Sequence, residues 1–289
     1  MKANTSLVPT RNARGSSRFS RRLLAAIGEV FARFVPRVRL RGETRLLPVP
    51  STATVTGGTR LLPRHPIVLA HGYLGFGGLT RRAFTGRYFR GVREFLESLG
   101  CRVFLLSVSP TAGVKIRGEE LARQVRALGL SRVNVVAHSM GGLDARWAIS
   151  NLGLHSRVSS LVTVGTPHRG TPIADLLGHI GLGAGDGLRD LTPESTSAFN
   201  ENVLDAPDVF YGSFVGASRR VQRFLEPGHS YLNRLSGAND GIVPASSQRW
   251  GKVLGKVDAD HLAQVGWSRH FDVKMLYSSL VTHVATLGC

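Results

Sequence analysis

Lysine and cysteine are scarce in this chain. Its 289 residues hold 5 Lys against 32 Arg, and 2 Cys, Cys101 and Cys289. Two cysteines so far apart build no disulfide scaffold and offer no C-x-x-C metal site. Acidic residues are also few, 19 against 37 Lys+Arg, a formal net charge of +18. No uninterrupted apolar run approaches the ~20 residues that a membrane-spanning helix needs. Internal repeats, a collagen period and sustained heptads find no support. Hydrophobic residues nevertheless make up 42% of the chain, too large a share for a disordered polyelectrolyte. The length suits one large domain with a full core, or two small ones.

The charge is unevenly spread. Residues 1–64 carry 13 Lys+Arg and 2 Glu, whereas residues 65–289 carry 24 Lys+Arg and 17 Asp+Glu. The basic excess therefore belongs mainly to the N-terminal fifth. The preference for arginine over lysine also fits codon usage in a GC-rich genome. We divide the chain into a basic extension, residues 1–64, and a main body, residues 65–289.

Within the extension, residues 1–17 read as a polar tail. Phe19, Leu23, Ile27, Val30, Phe31 and Phe34 then recur at three- and four-residue steps, an amphipathic helical stripe. Arg18, Arg21, Arg22 and Arg33 flank it, and Pro36 ends it. Two readings stay open for residues 18–35: peripheral contact with an anionic membrane surface, or packing on the protein's own body. The segment also has the Arg-rich, acid-poor composition of a transit peptide, while Glu29 and Arg33 interrupt the apolar core that a twin-arginine export signal needs. Residues 36–64, with Pro36, Pro48, Pro50, Pro63 and Gly57-Gly58, read as a linker or an edge hairpin, with a hint of a strand around Thr52–Thr56.

From Pro66 onward short apolar runs alternate with helical patterns. Strands are expected at Ile67–Ala70, Arg102–Leu106, Val133–Ala137, Val158–Val164 and near Val209–Val215. Helices are expected over residues 86–99, 119–128, 141–152, near 193–203 and about 273–286. Continuous apolar strands separated by helices imply an α/β protein with a mostly parallel central sheet covered on both faces. Residues 176–190 break the rhythm, because Gly178, Gly181, Gly183, Gly185 and Gly187 predict a short flexible segment.

Ala137-His138-Ser139-Met140-Gly141 ends a strand and opens a helix. Small residues two before and two after a serine suit a sharp strand-to-helix turn, where large side chains clash. Serine is a weak nucleophile and needs a base within hydrogen-bond reach. The plain alternative is a serine that caps a helix. His71-Gly72-Tyr73 ends an earlier strand, where an acyl-transfer hydrolase keeps half of its oxyanion hole. The Tyr73 and Met140 backbone N–H groups are the candidate oxyanion donors.

These segments resemble the bacterial triacylglycerol lipase family of the α/β-hydrolase superfamily. The resemblance is carried by His71-Gly72-Tyr73, VNVVAHSMGG at Val133–Gly142, VGTPHRG at Val164–Gly170, and Leu191-Thr192-Pro193 through Phe199-Asn200. Asn239–Val243 and Asp260-His261-Leu262 complete it. It covers roughly residues 65–270 and implies an α/β-hydrolase fold with a short lid insertion. It also implies cleavage of carboxylic esters of lipids by a Ser-His-Asp triad through an acyl-enzyme. Residues 1–64 lie outside it.

The superfamily order is Ser, acid, His, which makes His261 the base and Asp240, in an N-D-G turn, the acid. His229 and His270 are alternative bases without a matching context, and Asp205, Asp208 and Asp258 are weaker acids. His71 resembles the family's oxyanion-loop histidine, the plain alternative being a structural hydrogen bond within the loop. His138 points away from the nucleophile along its strand, and His168 reads as structural. Many family members hold a calcium ion, with an Asp two positions after the histidine; here that position is Ala263. No metal and no cofactor are expected.

Leu176, Leu177, Ile180 and Leu182 form at most a small flap, which points to shorter or more soluble esters. The partner expected is a lipid or small ester, with no nucleic acid. Thioester hydrolysis or acyl transfer would use the same three residues. A basic, non-catalytic binder of acidic polymers ranks far behind, because most of the charge sits in a tail. No transmembrane helix is expected. Cys101, which opens a strand, reads as a core residue.

Overall fold

A computed structural model describes residues 61–73, 88–179 and 185–289. The expected helix at 18–35 and the strand hint near residue 52 lie outside the described residues.

Six strands form one all-parallel sheet: β1 (Ile67–Ala70), β2 (Val103–Leu106), β3 (Val133–His138), β4 (Val158–Val164), β5 (Phe210–Gly216) and β6 (Lys252–Val257). Their order is β2-β1-β3-β4-β5-β6. Eight α-helices stand among the described residues: α1 (Val92–Ser98), α2 (Val114–Ala127), α3 (Gly141–Asn151), α4 (Pro172–His179), α5 (Asp186–Arg189), α6 (Pro193–Asn202), α7 (Glu226–Ser236) and α8 (Val273–Thr286).

The strands of the sheet's centre are apolar along their length because both faces are covered. On one face Ile67, Leu69, Val136, Val162 and Phe214 pack against α1 and α8 through Leu96, Tyr277 and Leu280. On the other, Val68, Val135, Ala137 and Leu161 pack against α2 and α3 through Leu121, Val125, Ala145 and Ile149. Alternation along each strand assigns the two sets. The chain leaves β1 toward β2 on one side and returns to β3 on the other. At the carboxyl ends of β1 and β3 the connections diverge, the usual binding position of such sheets.

Three expectations are corrected. First, α2 begins at Val114, five residues before the expected Glu119. Gly118 reads as a helix breaker, but a Cβ there would lie 2.7 Å from Trp147 Cδ1 and 3.0 Å from the Asp144 carbonyl. The glycine lets α2 approach α3 closely, and that packing overrides its propensity. Second, β6 and α7 have no counterpart among the expected elements. β6 is an edge strand with Lys252, Val253 and Lys256 exposed and no continuous apolar run, and α7 buries only Gly228 and Leu232.

Third, the segment 176–190 is largely helical where it is described. Leu176 and Leu177 belong to α4, and α5 follows at Asp186. The Gly187 N–H donates to the Thr111 carbonyl (3.1 Å), and Asp190 accepts from the Val114 N–H (2.7 Å). Leu188 and Leu191 are buried against Val114, Met140 and Leu143, with Tyr73 packed on the same cluster. Of the residues expected to form a flap, Ile180 and Leu182 lie outside the described residues.

At the opposite pole, the amino ends of the strands, the Arg64 N–H donates to the carbonyl of Cys289. Residues 64 and 289 lie side by side there. Cys101 is buried, as expected of a core residue.

Candidate active site

Ser139 occupies the tight turn between β3 and α3. Its φ is +56°, and it is the one non-glycine residue with positive φ among the described residues. Such a backbone costs about 1–3 kcal/mol and persists only where its surroundings hold it. Here the Ser139 N–H donates to the Val164 carbonyl (3.0 Å). Its carbonyl accepts from the Thr166 hydroxyl (2.7 Å) and the Gly142 N–H (3.1 Å). The need for a small residue at 141 comes from β1: a Cβ there would lie 2.7 Å from the carbonyl oxygens of both Ala70 and His71. The expected crowding between residues on either side of the serine is thus a crowding against the neighbouring strand.

His261 stands in the loop after β6, and Asp240 in the turn after α7. The structure brings both to Ser139. The Ser139 hydroxyl donates to His261 Nε2 (3.0 Å), and His261 Nδ1–H donates to Asp240 Oδ2 (2.8 Å). The His261 N–H also donates to the Asp240 carbonyl (2.8 Å).

The Asp240 carboxylate is fully enclosed and accepts five hydrogen bonds. Oδ1 receives the Ile242 and Val243 N–H groups at 3.0 and 2.7 Å. Oδ2 receives His261, Gln264 Nε2 at 3.0 Å and Gln248 Nε2 at 3.2 Å. A buried charge needs such donors. Both glutamines were missed from sequence. Gln264 carries a local signal, being three residues past His261; Gln248 carries none.

The loop His71–Tyr73 lies against the nucleophile. A Cβ on Gly72 would stand 2.5 Å from Ser139 Cβ, so only glycine admits that approach. His71 is buried, with Nδ1–H donating to the Gly72 carbonyl (2.9 Å) and Nε2 accepting from the Val108 N–H (3.1 Å). Burial, helped by Arg117, lowers its pKa to about 3, so it is neutral at ordinary pH.

Arg117, on α2, donates to the His71 carbonyl (2.9 Å) and the Ser109 carbonyl (2.7 Å), and through Nε to Asp144 Oδ2 on α3 (2.8 Å). This ion pair is completely buried. Desolvation outweighs the pairing and raises the Asp144 carboxyl to about 6. Asp144 Oδ1 has no hydrogen-bond partner. Met140, whose N–H is the second expected oxyanion donor, is the N-cap of α3, at the positive end of that helix.

The remaining candidates stand elsewhere. His229 donates to the Ser218 carbonyl (2.8 Å), and His270 lies exposed in a turn. His168 is buried, bonds the Thr163 hydroxyl (3.0 Å) and stacks on Trp250. Asp205 accepts from the Trp250 indole, and Asp208 and Asp258 are exposed.

His138, expected to point away from the nucleophile, has its ring against His261, with 4.5 Å between ring centroids. Asp260 accepts from the Gln222, Leu262 and Ala263 N–H groups and from Gln222 Nε2. Its oxygens hold the His261 loop. Among the described residues no group of three His, Cys, Asp or Glu is arranged to take a metal ion.

A family model described as alpha/beta hydrolase fold matches residues 118–192, which include the Ser139 turn. A metagenomic carboxyl esterase of solved structure matches 98% of this chain and 96% of its own, with a TM-score of 0.68 and 22% identity.

The chain has the α/β-hydrolase fold.

Among curated proteins, the chain is 32% identical over 204 residues to triacylglycerol lipase 2 of Saccharomyces cerevisiae, covering 62% of each chain. It is 28% identical over 191 residues to a triacylglycerol lipase of Burkholderia plantarii, covering 64% of this chain and 49% of that protein. The matches thus span about half to three fifths of these relatives' length. They make the chain a distant homologue of triacylglycerol lipases. No helix among its described residues is long and apolar enough to cross a membrane.

Proposed function

We propose that the chain is a serine hydrolase that cleaves carboxylic esters, acylglycerols or shorter esters, through an acyl-enzyme on Ser139. The observation that carries this reading is the hydrogen-bonded row Ser139 Oγ–His261 Nε2–Asp240, with links of 3.0 and 2.8 Å, on a strained turn at the mouth of a parallel sheet. The distant homology to triacylglycerol lipases supports the substrate class.

In this reading Ser139 Oγ attacks the ester carbonyl while its proton passes to His261 Nε2. The carbonyl π pair moves to oxygen, and the oxyanion is received by the Tyr73 and Met140 N–H groups. Asp240 fixes the imidazole tautomer and stabilises the imidazolium without taking the proton. The tetrahedral centre collapses, and the alcohol leaves with the proton from His261. Water then attacks the acyl-enzyme, gives its proton to His261, and the acid departs as Ser139 recovers a proton.

Leu188, Leu191 and Ala174 pack with Met140, the residue after the nucleophile, and with Tyr73, an apolar surround that supports an ester with an apolar acyl chain. Residues 18–35 would hold such an enzyme near anionic lipid.

A fluorophosphonate probe tests the core of the proposal. Wild type should be labelled at Ser139 and hydrolyse p-nitrophenyl butyrate, and Ser139→Ala should do neither while melting normally. Turnover retained by Ser139→Ala would sink it. Deleting residues 1–64 should weaken binding to anionic liposomes and spare hydrolysis of the soluble ester; equal binding would remove the membrane role.

A further inference from the structure

The His138 side chain is a fully enclosed polar group close to the site that the proposed reaction does not use. It is fully buried, and Tyr88 beside it is 4% exposed. The Gly72 N–H donates to Tyr88 Oη (3.1 Å), Tyr88 Oη lies 2.6 Å from His138 Nδ1, and His138 Nε2 lies 3.0 Å from the His261 carbonyl. The directions are forced at both ends. An amide N–H only donates and a carbonyl only accepts. So His138 Nε2–H donates to His261, and Tyr88 O–H donates to His138 Nδ1. One directed chain of three hydrogen bonds therefore runs from the oxyanion loop to the backbone of the base.

We propose that Tyr88 and His138 are positioning residues that hold the Gly72–Tyr73 loop and the His261 loop in fixed register across the Ser139 turn. This rests on the hydrolase reading above.

Independent contacts fasten the Tyr88 segment to the same histidine loop. The Trp267 indole N–H donates to the Tyr88 carbonyl (2.9 Å), and the Arg90 N–H donates to the Val265 carbonyl (2.9 Å). Arg90 also lies over the Trp267 ring at 5.3 Å. Tyr88 is thus tied through its backbone to residues just past His261, and through its hydroxyl to Gly72.

An apolar pair would fill this space without the cost of burying two polar side chains. What the polar pair adds is direction, because it accepts from one loop and donates to the other. His138 also has to stay neutral, since its ring lies 4.5 Å from the imidazole proposed to become positive. Burial, and secondarily His261, hold its pKa well below the ordinary imidazole range.

The test measures kcat and KM for p-nitrophenyl butyrate, the rate of fluorophosphonate labelling, and melting temperature. The variants are Tyr88→Phe, His138→Phe, His138→Gln and the double Tyr88→Phe/His138→Phe. Tyr88→Phe and His138→Phe should each lower kcat and the labelling rate about 10- to 100-fold, the range expected when reacting groups are displaced by about 1 Å. KM should stay within about twofold.

His138→Gln keeps one donor and one acceptor and should recover most of kcat. The double variant should be no worse than the worse single one, because both singles break the same chain. The inference is overturned if the folded Phe variants keep wild-type kcat, or if His138→Gln is as impaired as His138→Phe while melting like wild type. If His138→Phe does not fold, Tyr88→Phe and His138→Gln still decide between these outcomes. Failure of the underlying reading looks different: wild type itself is then not labelled at Ser139.

Discussion

The two sides of the Ser139 turn are held by different kinds of chemistry. On the acid–histidine side one carboxylate, Asp240, is enclosed by neutral donors: two backbone amides, two glutamine amides and an imidazole. On the His71–Tyr73 side a buried Arg117–Asp144 pair grips a backbone carbonyl. The first arrangement leaves a negative charge facing the one group proposed to become positive. The second cancels its own charge, so it positions a loop and adds little net charge to the site. The lesson is that the same degree of burial serves opposite ends: charge is retained where the chemistry uses it and paired where only geometry is wanted.

That contrast breaks in definite ways. The largest effect is expected from Asp240→Asn, which keeps the shape and removes the charge. It should lower kcat about 10⁴-fold with a near-normal melting temperature; a loss under tenfold would mean that the acid side also works by geometry alone.

Arg117→Met should act on stability instead. Leaving Asp144 buried and unpaired costs about 3–5 kcal/mol, read from denaturant unfolding, and Arg117→Met/Asp144→Leu should recover most of it. If the double variant stays as unstable as the single, the pair is not a self-cancelling clamp.

A pH series sharpens the same point. The Asp144 pKa rises from 3.8 unfolded to about 6 folded. Its contribution is therefore complete below pH 3.8 and is lost as pH rises through about 6, a change of at most about 3 kcal/mol. Asp144→Asn should flatten unfolding free energy over that window; an unchanged slope would assign it to other groups.

The smallest effect belongs to Gln264→Leu, which removes one of the five donors to Asp240. A single lost hydrogen bond to a charged group, about 1.5–3 kcal/mol, should appear as roughly a tenfold or greater fall in kcat. KM should be unmoved.

These residues were unequally legible in the sequence. The central strands are apolar throughout because both faces are covered, and Val133–His138 and Val158–Val164 could be read from that alone. Edge strand β6 is half exposed and interrupted by Lys256, so it left no run to read. Gly118 hid the start of α2 because its close contact with Trp147 is a tertiary fact. Ser139, Asp240 and His261 carry local motifs and could be selected one by one. The support around them could not. Gln248, Arg117 and Tyr88 reach the site from distant segments, and no spacing along the chain records a contact made only by folding. His138 shows the limit of alternation: the pattern gives the side of the strand, not the neighbour waiting there.

The pairing of Arg64 with Cys289 carries a geometric consequence. Both lie at the amino ends of the strands, while Ser139 stands beyond the carboxyl ends. Whatever chain precedes residue 61 therefore joins the body at the pole farthest from the nucleophile. A fluorophore, an affinity tag or an immobilising support coupled at either position would suspend the molecule with Ser139 facing outward.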